Sequence, residues 1–210
     1  MAHDDFAQEP IRGLAKELQE GEEILWQGAP RTWDLACDSM WLRWVIGYFA
    51  LLAAWRGIAL GGTESVQAGL WAASWYIVAG AIAAGLILGA AWVFAKTTVY
   101  TITTARVVMR IGAALTMSLN LPYKWIASAE LAVASNGSGS IHLKLKGDNR
   151  FSYLVLWPHV RPWAMRTPEP TLRAIPDARH VAEILGRAAE SRVGEITAEF
   201  GMAPGAVAAE

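Results

Sequence analysis

The sequence predicts an α+β membrane protein: a two-helix transmembrane hairpin joined to a small antiparallel β-sheet, or partly open barrel, capped by a C-terminal helix. Three observations carry this prediction. No charged residue stands between Glu64 and Lys96, and residues 70–95 are almost wholly apolar, more than the roughly 20 residues a helix needs to cross a bilayer. An earlier run, 41–60, is also apolar. Beyond Lys96 the pattern changes from helical spacing to the alternation of half-buried strands. The chain therefore divides into a cytoplasmic N-terminal segment carrying GEEILWQGAP (1–39), the hairpin (40–95), a folded cytoplasmic domain (96–190) and an aperiodic, mobile tail (191–210).

The first apolar run holds Arg43 near its start and Arg56 near its end, placed where both can snorkel to opposite interfaces. A buried or interfacial helix is the competing reading, because Arg56 shortens the charge-free part. Aromatic positions favour two crossings: Trp and Tyr prefer the headgroup level, and a hairpin sets Trp41 and Trp44 level with Trp92, and Trp55 level with Trp71 and Trp75. GIALGGTES, with Gly61 and Gly62, supplies the turn. Arg31, Arg43, Lys96, Arg106 and Arg110 flank the outer ends, so the positive-inside rule makes both termini of this multi-pass arrangement cytoplasmic. About forty mostly polar residues precede the first run, unlike a cleavable signal peptide. In the second helix Ala81, Gly85 and Gly89 recur every four residues, a small-residue face that packs either the hairpin on itself or a partner's helix.

In the cytoplasmic domain, 97–103 and 106–111 read as a strand hairpin around Thr104 and Ala105, followed by a strand over 114–120. Residues 126–134 form another, ended by the Asn136-Gly137 turn signal. Over 140–146, Ile141, Leu143 and Leu145 face a core while His142, Lys144 and Lys146 face water. GDNR (147–150) turns the chain into a strand over 151–157, and after a proline-rich stretch Val181, Ile184 and Leu185 mark a helix over 177–190. Short strands closed by one helix make a capped sheet or barrel.

Charge and chemistry narrow the function classes. The net charge of −1 gives no field for a nucleic-acid partner. Cys37 is alone, so no intrachain disulfide forms. His142, His159 and His180 are scattered without metal-ligand spacing, and Gly137 and Gly139 lie in a strand turn, not a phosphate loop. Neither apolar run contains His, which argues against pigment ligation by imidazole in the membrane. The expectation is a non-enzyme without cofactor or metal. Lys124, Lys144, Lys146 and Arg150 form either a patch for anionic headgroups or a solvated strand face.

Residues 157–176 concentrate five of the nine prolines with Trp157, His159, Arg161, Trp163, Arg166 and Arg173. Proline lowers the entropy lost on docking, and Trp and Arg are favoured interface anchors. This set is the leading partner-contact candidate; an ordered loop packed over the sheet is the alternative.

The order of elements resembles the bacterial pleckstrin-homology-like membrane proteins. An early E-x-[IVL]-L-W-x-G-x-P element matches at Glu23, Leu25, Trp26, Gly28 and Pro30, and a T-x-Y-x-[IVL]-T-x-x-R strand pair at Thr98, Tyr100, Thr103 and Arg106. A narrower likeness lies in LNLPYKWIASAEL and YLVLWPHVRPWAMRTPEPTLRAIPDA, carried by Leu121, Pro122, Ile126, Tyr153, Leu156, Trp157, Pro158, His159, Arg161, Pro162, Trp163, Pro168, Glu169, Pro170, Leu172, Arg173 and Pro176. These segments look like the PuhB family of photosynthetic complex assembly proteins of purple bacteria. The resemblance implies a membrane assembly factor for the reaction centre and its core light-harvesting ring, located in the intracytoplasmic membrane and bringing no catalytic residues with it. Partners are then reaction-centre and core light-harvesting subunits and the lipid bilayer, with a homodimer open. The alternative is a general pleckstrin-homology-like membrane scaffold, or lipid-surface-binding module, oligomerising in another process.

Overall fold

In chain order, the computed structural model contains β1 (Ile24–Gly28), α1 (Thr32–Ser39), α2 (Leu42–Thr63), α3 (Val66–Thr97), β2 (Val99–Thr103), β3 (Arg106–Ile111), β4 (Met117–Pro122), β5 (Ile126–Val133), β6 (Gly139–Leu145), α4 (Tyr153–Leu156), β7 (Thr171–Ile175) and α5 (Ala178–Glu199). It describes residues 13–14, 18–113, 116–147 and 151–199. They fall into two units, one of 32–93 and one combining the segment before Thr32 with everything from Phe94 onward.

The helical unit follows from apolar length. Away from water, a helix is the way a single segment satisfies all its own backbone groups, and α2 and α3 are long and apolar enough to cross a membrane. Their large side chains point outward: Leu86 is 72% exposed, and Trp44, Leu51, Trp55 and Trp75 are exposed as well. The turn is tighter than the glycines at 61 and 62 suggest. Helix α2 runs through both to Thr63, leaving Glu64 and Ser65 as the connection, and the Ser65 hydroxyl accepts from the Ala68 N–H at 3.2 Å. Of the two, Gly61 faces Gly69 of α3, while a Cβ on Gly62 would meet nothing within 4 Å. A Cβ on Gly69 would stand 2.4 Å from the Gly57 carbonyl oxygen, and one on Gly80 2.8 Å from the Phe49 Cβ. At the far end Ala36, Leu42 and Ala91 form a small core.

The second unit begins earlier in the chain than a linear reading suggests. GEEILWQGAP is no mere leader to the helices: its ILWQG is β1, an edge strand pairing antiparallel with β2. The sheet order is β1-β2-β3-β4, beside a second sheet β5-β6-β7. Alternation puts Tyr100, Ile102, Val107, Met109 and Leu121 from the first sheet, and Ile141, Leu143 and Leu172 from the second, into one core closed by Val181, Leu185 and Ala188 of α5.

Several expected boundaries move. Thr97 belongs to α3, and β2 starts at Val99. Strand β4 starts at Met117, while positions 114 and 115 of the expected strand lie outside the described residues. Residues 153–156 form the single helical turn α4 where a strand is expected, because a short apolar run does not distinguish a strand from a helical turn. The proline-rich stretch contains β7, paired with β6. Helix α5 extends to Glu199, so the expected tail gives up its first nine positions, 191–199, to helix.

Candidate partner-binding site

The segment 157–173 is anchored by buried polar residues and presents apolar ones. At its base, Val160 and Pro170 form an isolated bridge, the Arg161 N–H donates to the Glu169 carbonyl at 3.0 Å, and the Thr171 N–H donates to the His159 carbonyl at 2.9 Å. The Leu143 N–H donates to the Pro170 carbonyl at 2.9 Å, tying the returning arm to β6.

His159 is fully buried. The Arg173 N–H donates to the Tyr100 phenol oxygen at 3.2 Å, and the same hydroxyl is hydrogen-bonded to His159 Nδ1 at 2.6 Å. The other ring nitrogen, Nε2, is hydrogen-bonded to the Thr98 hydroxyl at 3.0 Å, so both imidazole nitrogens have partners. Burial, with the Arg173 charge nearby, pulls the imidazole down to about 3, so it is neutral throughout the physiological range. Burial likewise pushes the Tyr100 phenol well above its ordinary value. The network fastens β2 to the start of the proline-rich segment. It also corrects the contact set drawn from the sequence: His159 and Arg173 are core residues, with Arg173 Nη1 donating to the Pro158 carbonyl at 3.4 Å, and neither is available to a partner.

Arg161 is half-buried. Its Nη1 lies 2.9 Å from a Glu130 carboxylate oxygen on β5 and 3.0 Å from one of Glu169, a hydrogen bond and two negative charges that hold the guanidinium still more firmly protonated. Arg161 thus pins both arms of the loop to the sheet. Beyond the pin the chain turns outward. Trp163, at a left-handed φ of 65°, is 77% exposed, Met165 is 64% exposed and Arg166 is exposed. Trp157 is 41% exposed. Of the six expected contact residues, the structure therefore brings Trp163 and Arg166 to one protruding loop, makes Arg161 its fastening and leaves Trp157 at the segment's start. Met165 was not singled out in the sequence, where a lone Met among prolines has no distinguishing signal.

Ala81, Gly85 and Gly89 are exposed, and a Cβ on either glycine would meet nothing within 4 Å. The stripe is thus turned away from α2. Lys124, Lys144 and Lys146 are exposed, whereas Arg150 lies outside the described residues. Strand β5 is exposed from residue 127 to 133, with its outer edge unpaired among the described strands.

The motif residues shared with pleckstrin-homology-like proteins do structural work. Glu22, one position before the Glu of the motif, receives Arg106 Nε at 2.8 Å and Nη2 at 2.9 Å on its two carboxylate oxygens, and the Thr103 hydroxyl at 2.6 Å. Burial pushes this carboxyl up, but Arg106, the Gln19 N–H and Thr103 outweigh it and hold it below the usual carboxylate range. Gly28 leaves room for the Trp26 ring, which a Cβ would meet at 2.4 Å. A groove of about 370 Å³ lined by Leu25, Thr104, Ile184, Arg187 and Ser191 brings together no nucleophile and base, and no cluster of three metal-binding side chains occurs among the described residues.

Residues 42–189 match the bacterial PH domain family. A Rhodobacter capsulatus protein described as an uncharacterized 23.7 kDa protein in the puhA 5′ region is 43% identical over 197 residues, covering 93% of this chain and 92% of that one. No solved structure matches the chain.

Proposed function

The chain belongs to the bacterial PH domain family, and from that premise we propose that it is a non-catalytic assembly factor of the PuhB type for the photosynthetic reaction centre and core light-harvesting complex. In this reading α2 and α3 span the bacterial inner membrane with both termini cytoplasmic. The outward stripe of Ala81, Gly85 and Gly89 receives a helix of a membrane subunit, and the pinned loop docks on that subunit's cytoplasmic surface. The observation that carries the reading is the loop itself. Trp163 and Met165 are held in water on a backbone that Arg161, the Val160–Pro170 bridge and the His159 network prevent from folding back. Exposed anchors on a pre-ordered support lose little entropy on binding. The relative's description, which sets it in the puhA 5′ region, supports a photosynthesis-related neighbourhood. Binding and release suffice for the task, so no covalent step is assigned.

Replacing Trp163 and Arg166 together by Ala tests this. The expected result is reduced reaction-centre accumulation at an unchanged level of the variant protein; normal accumulation removes the loop from the account.

One observation favours a second reading. The long exposed edge of β5 carries a single charged residue, Glu130, and no Pro or Lys to discourage pairing. A scaffold that oligomerises in another process would use it. Crosslinking at Ser128→Cys that joins copies of the chain to each other, in membranes where no core-complex subunit is captured, would select this reading.

A further inference from the structure

Leu154 is 82% exposed, Val155 58% and Trp157 41%, and of this run only Leu156 turns into the sheet core. A single helical turn thus holds adjacent large apolar side chains outward, a contiguous apolar patch of the kind that marks a contact surface. What covers it follows from its neighbour. The Trp157 ring meets Phe94 edge to face, with centroids 5.6 Å apart and planes at 87°. Phe94 stands in the last turn of α3, two residues before the exposed Lys96. For a helix that spans a bilayer, this is the level at which aromatic rings sit among headgroups and a Lys reaches for water. Through the Phe94 contact the patch adjoins the last turn of α3, which lies at the headgroup level if α3 spans the bilayer.

We propose that α4 and Trp157 make an interfacial membrane contact, with Leu154 and Val155 at the boundary of headgroups and acyl chains and Trp157 among the headgroups. The sheet unit is then held to the bilayer at a second point besides the end of α3. This inference rests on reading α2 and α3 as membrane spans, and its test separates the two.

The full chain with Cys37→Ser is placed one copy per nanodisc of phosphatidylcholine and phosphatidylglycerol. Single cysteines are introduced as Leu154→Cys, as Leu86→Cys within α3 and as Glu183→Cys on the exposed side of α5. Two readouts are taken: reaction with a charged, membrane-impermeant maleimide, and quenching of an attached fluorophore by nitroxide lipids. The expected result is reaction at position 154 an order of magnitude slower than at 183, with quenching strongest from nitroxides about 5–10 Å below the headgroups, and quenching at 86 from deeper ones. Reaction at 154 as fast as at 183, with 86 protected, overturns the α4 contact and leaves the spans intact. Protection at 154 without nitroxide quenching assigns the cover to protein and also overturns it. Free reaction at 86 overturns the spans and this inference with them.

Discussion

At the scale of single residues, the stability of the sheet unit depends on two buried polar groupings whose protonation is set by the fold. In the Glu22–Arg106 pair both side chains are nearly inaccessible. Removing one member leaves the other charge buried, so Arg106→Met should destabilise the protein by about 3–5 kcal/mol, while adding Glu22→Gln should recover part of that loss; thermal unfolding in detergent measures both. The pH dependence follows from Glu22, held low, and from two histidines lowered chiefly by burial, His159 and the less buried His142. Imidazole that titrates near 6.5 in the unfolded chain and at about 3 when folded takes up protons first in the unfolded state, so stability falls as pH drops from about 6.5 toward 3. Glu22, lowered from about 4.5, adds a further loss below that value. His159→Gln should reduce the slope of stability against pH between 6.5 and 4.5, with the remainder carried by His142, whatever it does to absolute stability. A slope unchanged by the substitution would contradict the neutral, buried imidazole.

These residues also show where sequence reading stops. His159 and Trp163 stand four positions apart in one aromatic and proline-rich string, and composition treats them alike. Their separation comes from the Val160–Pro170 bridge and from Tyr100 and Thr98, which lie some sixty positions away in the chain. No local pattern encodes that pairing.

At the scale of elements, α3 was legible because a long charge-free run has few alternatives, and α2 from its apolar run and aromatic ends despite Arg43 and Arg56. Strands β2, β3, β5 and β6 were legible from alternation, apart from residues at their ends. Strand β1 was hidden because its partner lies beyond the entire hairpin, β7 because prolines flank it, and α4 because four apolar residues fit either period. Glycine was read through its turn preference, yet Gly57, Gly61 and Gly69 act through the absence of a side chain between packed helices. A clear contrast follows. Gly69→Val forces a side chain onto the Gly57 carbonyl and should lower hairpin stability by about 1–3 kcal/mol, whereas Gly85→Ala meets no neighbour and should leave it unchanged. Detergent unfolding of the two variants checks the first effect. If Gly85→Ala nevertheless impairs complex assembly, the defect belongs to a partner helix. For the docking loop, Trp163→Ala removes an exposed ring and should shift stability by no more than about 0.5 kcal/mol, so a loss of function there would not be a folding defect.

At the scale of the whole molecule, the chain combines an apolar hairpin with a bacterial PH domain sheet unit that presents a rigid, aromatic loop. Neither grouping of buried polar residues contains an accessible nucleophile or an open ligand position, and both are spent on holding the sheet and loop in place. Affinity purification of the tagged, full-length chain from photosynthetically grown membranes in mild detergent is the most direct test. The account predicts co-purification of reaction-centre or core light-harvesting subunits, diminished by Trp163→Ala with Arg166→Ala. Recovery of copies of the chain alone, from membranes rich in both complexes, would contradict it.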